Sequence, residues 1–208
     1  MPVIRNALSA IGAPGRFALL GAVSGSVAIT LIKVLPNSDY QPLKWLVGLL
    51  PGWVFGLIIG LALYRGGHAG PRTFAAYVAA STVSFLAALY LAIGIYDYLG
   101  PMWPTDPRPM WPLDSPLMWP TGMIAGLFGS ACLTGLAAWM FPFVRKFRPI
   151  ALRLFAGCVL GALLGIGVGG FWWALVFLVL WQAGYAAAFA TALPAVDGPD
   201  GARVPGAA

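Results

Sequence analysis

Apolar residues recur along the chain in runs of about twenty, and the stretches between these runs hold most of the charged residues and prolines. An α-helix needs about twenty residues to cross roughly 30 Å of hydrocarbon. The pattern predicts six transmembrane helices, over residues 17–35, 45–64, 74–96, 121–143, 150–169 and 171–193. We therefore expect an all-α, polytopic integral membrane bundle, with a single transmembrane domain over residues 1–193.

The last two predicted helices are not separated by charge, because no charged residue follows Arg153 before residue 193. One helix over residues 150–193 would be about 66 Å long, which is roughly twice the hydrocarbon thickness. Gly169 and Gly170 are therefore predicted to turn the chain. A five-helix alternative, in which one run is re-entrant, remains open.

Composition and charge support a membrane location and indicate an orientation. Hydrophobic residues make up 60% of the chain and charged residues 9%, which leaves too few polar side chains to cover a soluble domain. Most Lys and Arg residues fall on the side of the bundle that holds both termini, so the positive-inside rule predicts cytoplasmic termini, in a bacterial inner membrane. Lys33, Asp97 and Arg153 lie at helix ends and are expected to snorkel.

Residues 194–208 are rich in Gly, Pro and Ala and are predicted to form a disordered cytoplasmic tail. The net charge of +6 is explained by the loop bias. No basic stripe is interleaved with aromatic residues, so nucleic acid is not an expected partner.

Glycine recurs at every fourth position in the second and fifth predicted helices, which leaves a groove where another backbone can approach closely. These glycines are predicted to pack helices together, and a pore or moving interface is the alternative; they are Gly48, Gly52, Gly56, Gly60, Gly157, Gly161, Gly165 and Gly169. The third helix has a similar stripe, Ala76, Ala80, Ser84, Ala88 and Ala92. Because the two glycine stripes occupy the second helix of each half, they favour a 3+3 inverted repeat. Pro51 is expected to kink or hinge the second helix.

Groups for catalysis are scarce. The sequence has no Glu, and none of its six Asp residues lies at mid-membrane depth, which argues against a proton-driven pump. Cys132 and Cys158 are predicted to act as small apolar residues, and His68 to be a solvated loop residue. We expect no catalytic residues, metal or cofactor. Gln182 and Tyr185 are the best polar candidates inside the membrane, for an interhelical hydrogen bond or for solute contact.

The tripeptide Met-Trp-Pro occurs three times within residues 101–120. Its prolines exclude helix and central strand, so residues 97–120 are predicted to form a Trp-rich and Pro-rich outer loop. An outer-face aromatic platform is predicted from Trp45, Trp103, Trp111, Trp119, Trp172 and Trp173. An interfacial aromatic belt and a neutral tandem duplication are the alternatives.

Two functions fit these observations. The first is a non-catalytic subunit, assembly factor or scaffold of a larger membrane complex, with the lipid bilayer and either other membrane proteins or further copies of itself as partners. The second is a small channel or uniporter for an uncharged or hydrophobic solute. A polar path through the interface of the second and fifth helices would favour transport, whereas a closed interface with an exposed apolar outer flank would favour the subunit.

Overall fold

A computed structural model describes residues 12–35, 41–99, 118–163 and 171–194, with the backbone alone at residues 41–47 and 171. Within these ranges 90% of the residues are helical and none forms a strand. The described residues form six α-helices, namely α1 (Ala13–Val34), α2 (Gln41–Arg65), α3 (Pro71–Leu99), α4 (Met118–Met140), α5 (Phe147–Gly161) and α6 (Phe171–Ala190). The prediction of an all-α polytopic bundle is confirmed.

Among the described residues, five helical segments are long and apolar enough to cross a membrane. They are α1, α3 and α4 in full, residues Gly48–Arg65 of α2 and residues Trp172–Ala190 of α6. The chain is therefore a multi-pass integral membrane protein. The helix α5 has 15 residues, about 22 Å at the usual rise, which is shorter than the hydrocarbon layer. Residues 164–169 of its predicted span and the predicted turn at Gly169 and Gly170 lie outside the described residues, and α6 begins at Phe171.

Prolines explain where helix boundaries differ from the predicted ones. The first N–H groups of a helix have no intrahelical acceptor, so proline is tolerated there. Pro71 begins α3, and the third Met-Trp-Pro copy, residues 118–120, forms the first turn of α4. The prediction that this repeat is not helical is therefore wrong for its third copy. The first two copies lie outside the described residues. Pro51 lies inside α2, which stays helical through it.

The chain leaves α4 earlier than predicted, because Phe141 has an extended backbone and Pro142 begins a short 3-10 helix, Pro142–Arg145. This linker leads directly into α5 at Phe147. The Arg145 Nε donates a 2.8 Å hydrogen bond to the carbonyl oxygen of Ala138. The linker is thereby fixed to the last turn of α4.

The six helices form a closed ring in chain order, in which each helix packs on the next and α6 packs on α1. Neighbouring helices are antiparallel, so the starts of α1, α3 and α5 and the ends of α2, α4 and α6 share one end of the bundle. We call this the basic end, because it carries Arg16, Arg65, Arg72, Arg145, Lys146 and Arg148. The helices α2 and α5 lie across the ring from each other, so the described residues form no extended α2–α5 interface that could hold the polar path expected for transport.

Aromatic side chains fill the interior near the basic end. The ring of Tyr77 lies 5.9 Å from the rings of both Phe141 and Phe189, and Phe55 meets Tyr185 edge to face at 6.0 Å. Such edge contacts contribute about 0.5–1.5 kcal/mol each beyond their buried area. These residues belong to one cluster of buried apolar residues in the described chain. The basic half of the bundle is therefore closed by packed rings.

Candidate functional site

The predicted packing glycines of α2 face α3. A Cβ atom added to Gly52 or to Gly56 would lie 2.8 Å from atoms of α3, which for Gly56 is the Cα of Val78. At Gly60 the nearest atom would be a ring carbon of α3 at 3.0 Å, whereas Gly48 would meet a flexible side chain at 3.6 Å. A side chain at Gly52 or Gly56 would thus collide with the α3 backbone or its first side-chain carbon.

The described packing glycines of α5 face α4. A Cβ atom at Gly161 would overlap the carbonyl oxygen of Gly122 and lie 2.9 Å from the Cα of Gly126. A Cβ atom at Gly157 would lie 2.7 Å from the Gly126 carbonyl oxygen and would overlap the Ser130 hydroxyl. At these two positions the α4 and α5 backbones come too close for any larger residue.

The two glycine stripes do not occupy equivalent places in the ring. A 3+3 inverted repeat would relate α2 to α5 and α3 to α6, yet the first stripe faces α3 and the second faces α4. The inverted repeat remains a prediction. The helix contacts made by the two glycine stripes do not have its symmetry. Gly165 and Gly169 lie outside the described residues. In α3, Ala76 is exposed and Tyr77 takes the buried place, so Ala76 does not extend the small-residue stripe inward.

A third close helix contact was missed from the sequence. Gly21 and Gly25 of α1 press on α6, where a Cβ atom at Gly25 would lie 2.8 Å from the backbone of Leu178. At Gly21 it would overlap the carbonyl oxygen of Gln182. Gly21 and Gly25 have the same four-residue spacing as the glycine stripes of α2 and α5. A pair of glycines is, however, a weaker sequence pattern than four in a row at this spacing.

The predicted aromatic platform is only partly described. Trp172 is 72% exposed and Trp173 is 39% exposed, both at the start of α6. Trp119 is half-buried in the first turn of α4. Trp103 and Trp111 lie outside the described residues, as does the side chain of Trp45. A shared aromatic platform therefore remains a prediction.

The two polar residues singled out in the last helix are both buried, and each bonds to another helix. The Gln182 Nε2 donates to the carbonyl oxygen of Pro51 in α2 at 3.0 Å. The hydroxyl of Tyr185 is 3.0 Å from the Thr134 hydroxyl in α4. The helix α6 packs mainly on α1 and α5. These two hydrogen bonds connect it in addition to α2 and α4.

A small inner cavity lies between α2, α3, α4 and α6. Its lining includes Ser81, Ser84, Ser130, Trp181 and Tyr185. The Ser81 hydroxyl donates to the Gly52 carbonyl oxygen at 2.8 Å, but those of Ser84 and Ser130 are buried and have no hydrogen-bond partner in the described chain. An unmatched hydroxyl in a dry interior is costly, so a hydrogen-bonding molecule would be stabilised here; the cavity volume of about 10 Å³ leaves room for about one water molecule.

An apolar cleft adjoins the inner cavity on the side away from the basic end. It is lined by apolar residues of α3, α4, α5 and α6, including Ala88, Ala92, Gly122 and Phe177. Phe85 and Trp181 line both spaces, with ring centroids 5.8 Å apart. This aromatic pair therefore separates the apolar cleft from the inner cavity.

Arg153 lies inside the bundle and is 0% exposed. Its Nε donates to the Pro149 carbonyl oxygen and its Nη2 to the Val144 carbonyl oxygen, both at 2.8 Å. Its guanidinium carbon lies 5.6 Å from the ring centroid of Phe189. The expectation that Arg153 snorkels to solvent is therefore wrong. The side chain leans toward the helix start, as helical side chains do, but the linker to α4 and the end of α6 cover it.

Arg153 and Tyr77 both contact the ring of Phe189. The guanidinium carbon of Arg153 lies 5.6 Å from the centroid of that ring, and the ring centroids of Tyr77 and Phe189 are 5.9 Å apart. The Tyr77 hydroxyl and the Arg153 Nη1 are both buried without a hydrogen-bond partner in the described ranges. We call Arg153, Tyr77 and Phe189 the Arg153 cluster.

Groups for metal binding are absent from the described part of the chain, which contains no cluster of three potential ligands. Cys132 and Cys158 are free thiols of intermediate exposure. The ring of His68, in the connection between α2 and α3, lies 6.0 Å from that of Phe143. Within the described ranges His68 is thus placed against an aromatic ring and not in a ligand set.

The sequence pattern did not identify most of the interior polar residues. Serine and threonine occupy small-residue stripes as readily as alanine, so Ser81, Ser130 and Thr134 do not differ in pattern from packing residues. Tyr77 follows a basic loop and resembles an interfacial aromatic residue. Arg153 carried the clearest signal, because it is the one charged residue between residues 149 and 193.

Comparisons with protein-family models, curated proteins and solved structures find no match for this chain.

Proposed function

We propose that this protein is a small channel or uniporter that conducts a small uncharged solute through the interior of its helix ring. The observation that carries the proposal is the inner cavity, which Ser84 and Ser130 line; the hydroxyls of both residues are buried without partners in the described chain, and that of Ser130 lies against Gly157 of α5. Membrane interiors tolerate unmatched polar groups poorly, and a solute that hydrogen-bonds to these hydroxyls would satisfy them.

The cleft supports the same function. The apolar surface of a solute fits a space lined by alanine, glycine and phenylalanine. The Phe85–Trp181 pair lies where the solute would pass from the cleft into the inner cavity. The aromatic cluster around Tyr77, Phe141 and Phe189 closes the opposite side. A cavity closed on one side and adjoining a cleft on the other is the arrangement expected for alternating access.

Flux through purified protein in liposomes tests this function. Glycerol and urea serve as the probes, and stopped-flow light scattering follows vesicle swelling. We expect faster swelling than in empty vesicles, and a severalfold loss of the added rate in the double variant Ser84→Ala, Ser130→Ala. This variant should accumulate and unfold like the wild type, because removing a buried hydroxyl that lacks a partner costs little stability.

The matched control is Thr30→Val, which removes a hydroxyl on the exposed face of α1 that bonds its own helix. It should leave the rate unchanged. Swelling equal to that of empty vesicles for both probes, from protein of wild-type stability, would count against conduction of uncharged solutes. Recovery of a second protein at fixed stoichiometry in the same preparation would then favour the alternative below.

The second candidate is a subunit or assembly factor of a larger membrane complex. It is favoured by exposed aromatic residues beside the short helix α5, where Trp139 is 78% exposed and Phe147 is 81% exposed. These residues flank the α4–α5 linker at the basic end. A partner helix packed there would cover both rings and would compensate for the short span of α5.

We also propose that the basic end faces the cytoplasm of a bacterial inner membrane. The support is the gathering of Arg16, Arg65, Arg72, Arg145 and Arg148 at that end, since short cytoplasmic loops retain positive charge.

A further inference from the structure

The connection between α4 and α5 presents three positive charges on the outside of the bundle. Arg145, Lys146 and Arg148 are all exposed, and Phe147 between them is 81% exposed. Trp139, in the last turn of α4, is 78% exposed. We call these five residues the linker surface.

Hydrogen bonds hold the linker surface against the bundle. The Arg145 Nε donates at 2.8 Å to the carbonyl oxygen of Ala138, the residue that precedes Trp139. The side chain of Val144 is buried, and its carbonyl oxygen accepts a 2.8 Å hydrogen bond from the Arg153 Nη2 of α5. The linker is therefore anchored to both helices, and the Arg145 guanidinium lies beside the turn that carries the exposed indole ring.

The charges of the linker surface have no acidic partner in the described chain. The one acidic residue of those ranges is Asp97, near the end of α3 that lies away from the basic end. The first turn of α5 contains no acidic residue either. Three cations within four residues attract an anionic partner.

The position of the linker surface selects that partner. The linker joins two helices of a membrane bundle at the basic end, where the hydrocarbon layer meets the lipid headgroups. Exposed Trp rings favour this zone, and clustered Lys and Arg attract anionic headgroups. A neutral partner helix would cover the two rings but would leave the three charges uncompensated. We propose that the linker surface binds the headgroup of an anionic phospholipid. This binding does not depend on the solute that the inner cavity takes.

Native mass spectrometry of the full chain in detergent tests the proposal, because it counts the lipids bound to each protein molecule. The probes are dioleoyl phosphatidylglycerol and dioleoyl phosphatidylcholine, which share their acyl chains and differ in headgroup charge. Each Lys or Arg near an anionic lipid contributes about fivefold in affinity. We therefore expect half occupancy of the wild type at a phosphatidylglycerol concentration about tenfold or more below that of phosphatidylcholine.

Substitutions in the linker locate the effect. The triple variant Arg145→Gln, Lys146→Gln, Arg148→Gln should bind the two lipids at similar concentrations. Because Arg145 also fixes the linker to α4, the double variant Lys146→Gln, Arg148→Gln is measured beside it. The double variant retains that hydrogen bond and should lower the lipid preference about fivefold or more. If the triple variant does not fold, the double variant decides the question alone.

The matched control removes the same charge from the same end of the bundle through Arg16→Gln, Arg65→Gln and Arg72→Gln, which are also exposed positions. It should keep the wild-type lipid preference.

Equal binding of the two lipids by the wild type would overturn the proposal. A wild-type preference in both linker variants would place the lipid elsewhere, and an equal loss in the control would assign the preference to net charge alone. Release of a co-purifying protein by the linker variants, with the lipid preference unchanged, would assign the linker surface to a protein partner.

Discussion

At the scale of single residues, the interior of this protein is more polar than its sequence pattern indicates. Gln182 and Tyr185 were recognisable because an amide and a phenol stand out in an apolar helix. Ser84 and Ser130 were not, since serine also fills packing stripes, and their unmatched hydroxyls are visible only once the neighbouring helices are placed. A sequence thus reveals large polar groups in a membrane helix better than small ones.

The bond between Tyr185 and Thr134 should contribute modestly to stability. Interhelical hydrogen bonds in membrane proteins average about 0.6 kcal/mol and reach about 1.7 kcal/mol. A double-mutant cycle of Tyr185→Phe and Thr134→Val, measured by reversible unfolding in detergent, should give a coupling energy in that range. The control cycle pairs Tyr185→Phe with Thr30→Val on the exposed face of α1 and should be additive. Additivity in both cycles would mean that the bond contributes nothing.

At the scale of helices, three close pairs form the ring, namely α1 with α6, α2 with α3, and α4 with α5. In each pair glycine removes the side chain that would otherwise hold the backbones apart. The four-residue spacing located the stripes in α2 and α5 but did not identify the helices that they face. Spacing defines one face of a helix, whereas the partner depends on how all six helices close into a ring.

Substituting the close-contact glycines should destabilise the protein in proportion to the space available. Gly56→Ala and Gly161→Ala place a methyl group within 3 Å of another backbone, and overpacking of this kind costs about 1–3 kcal/mol. Gly94→Ala and Gly135→Ala are controls in α3 and α4 with nothing within 4 Å, so they should be neutral or gain up to about 1 kcal/mol. Unfolding midpoints in detergent measure both sets. If the two sets behave alike, close packing at these glycines is not important for stability.

At the scale of the whole molecule, the sequence predicted the class and the helix count because both follow from the length of apolar runs. The Arg153 side chain shows why the interior was harder to predict. In the count of Lys and Arg residues, Arg153 is one of the charges at the basic end. In the fold, its side chain is covered by the Pro142–Arg145 linker and by Phe189. Burial of a helix-end residue depends on the neighbouring elements that cover it, which hydropathy does not encode.

Orientation can be tested with single cysteines in a variant whose Cys132 and Cys158 are replaced by alanine. Gly70→Cys lies at the basic end between α2 and α3, and Ser38→Cys lies in the connection between α1 and α2. In intact bacterial cells, a membrane-impermeant maleimide should label Ser38→Cys and spare Gly70→Cys until the cells are opened. The reverse labelling pattern would invert the proposed topology.

The close contact of α1 with α6 has a consequence for the order of assembly during synthesis. Gly25 is translated about 150 residues before the α6 residues that it touches, which corresponds to about 8–30 s at usual elongation rates. During that interval the glycine face of α1 is without its native neighbour, and lipid or an insertion factor must cover it. The inner cavity and the Arg153 cluster both include residues of α6, so neither exists in a nascent chain that lacks this helix.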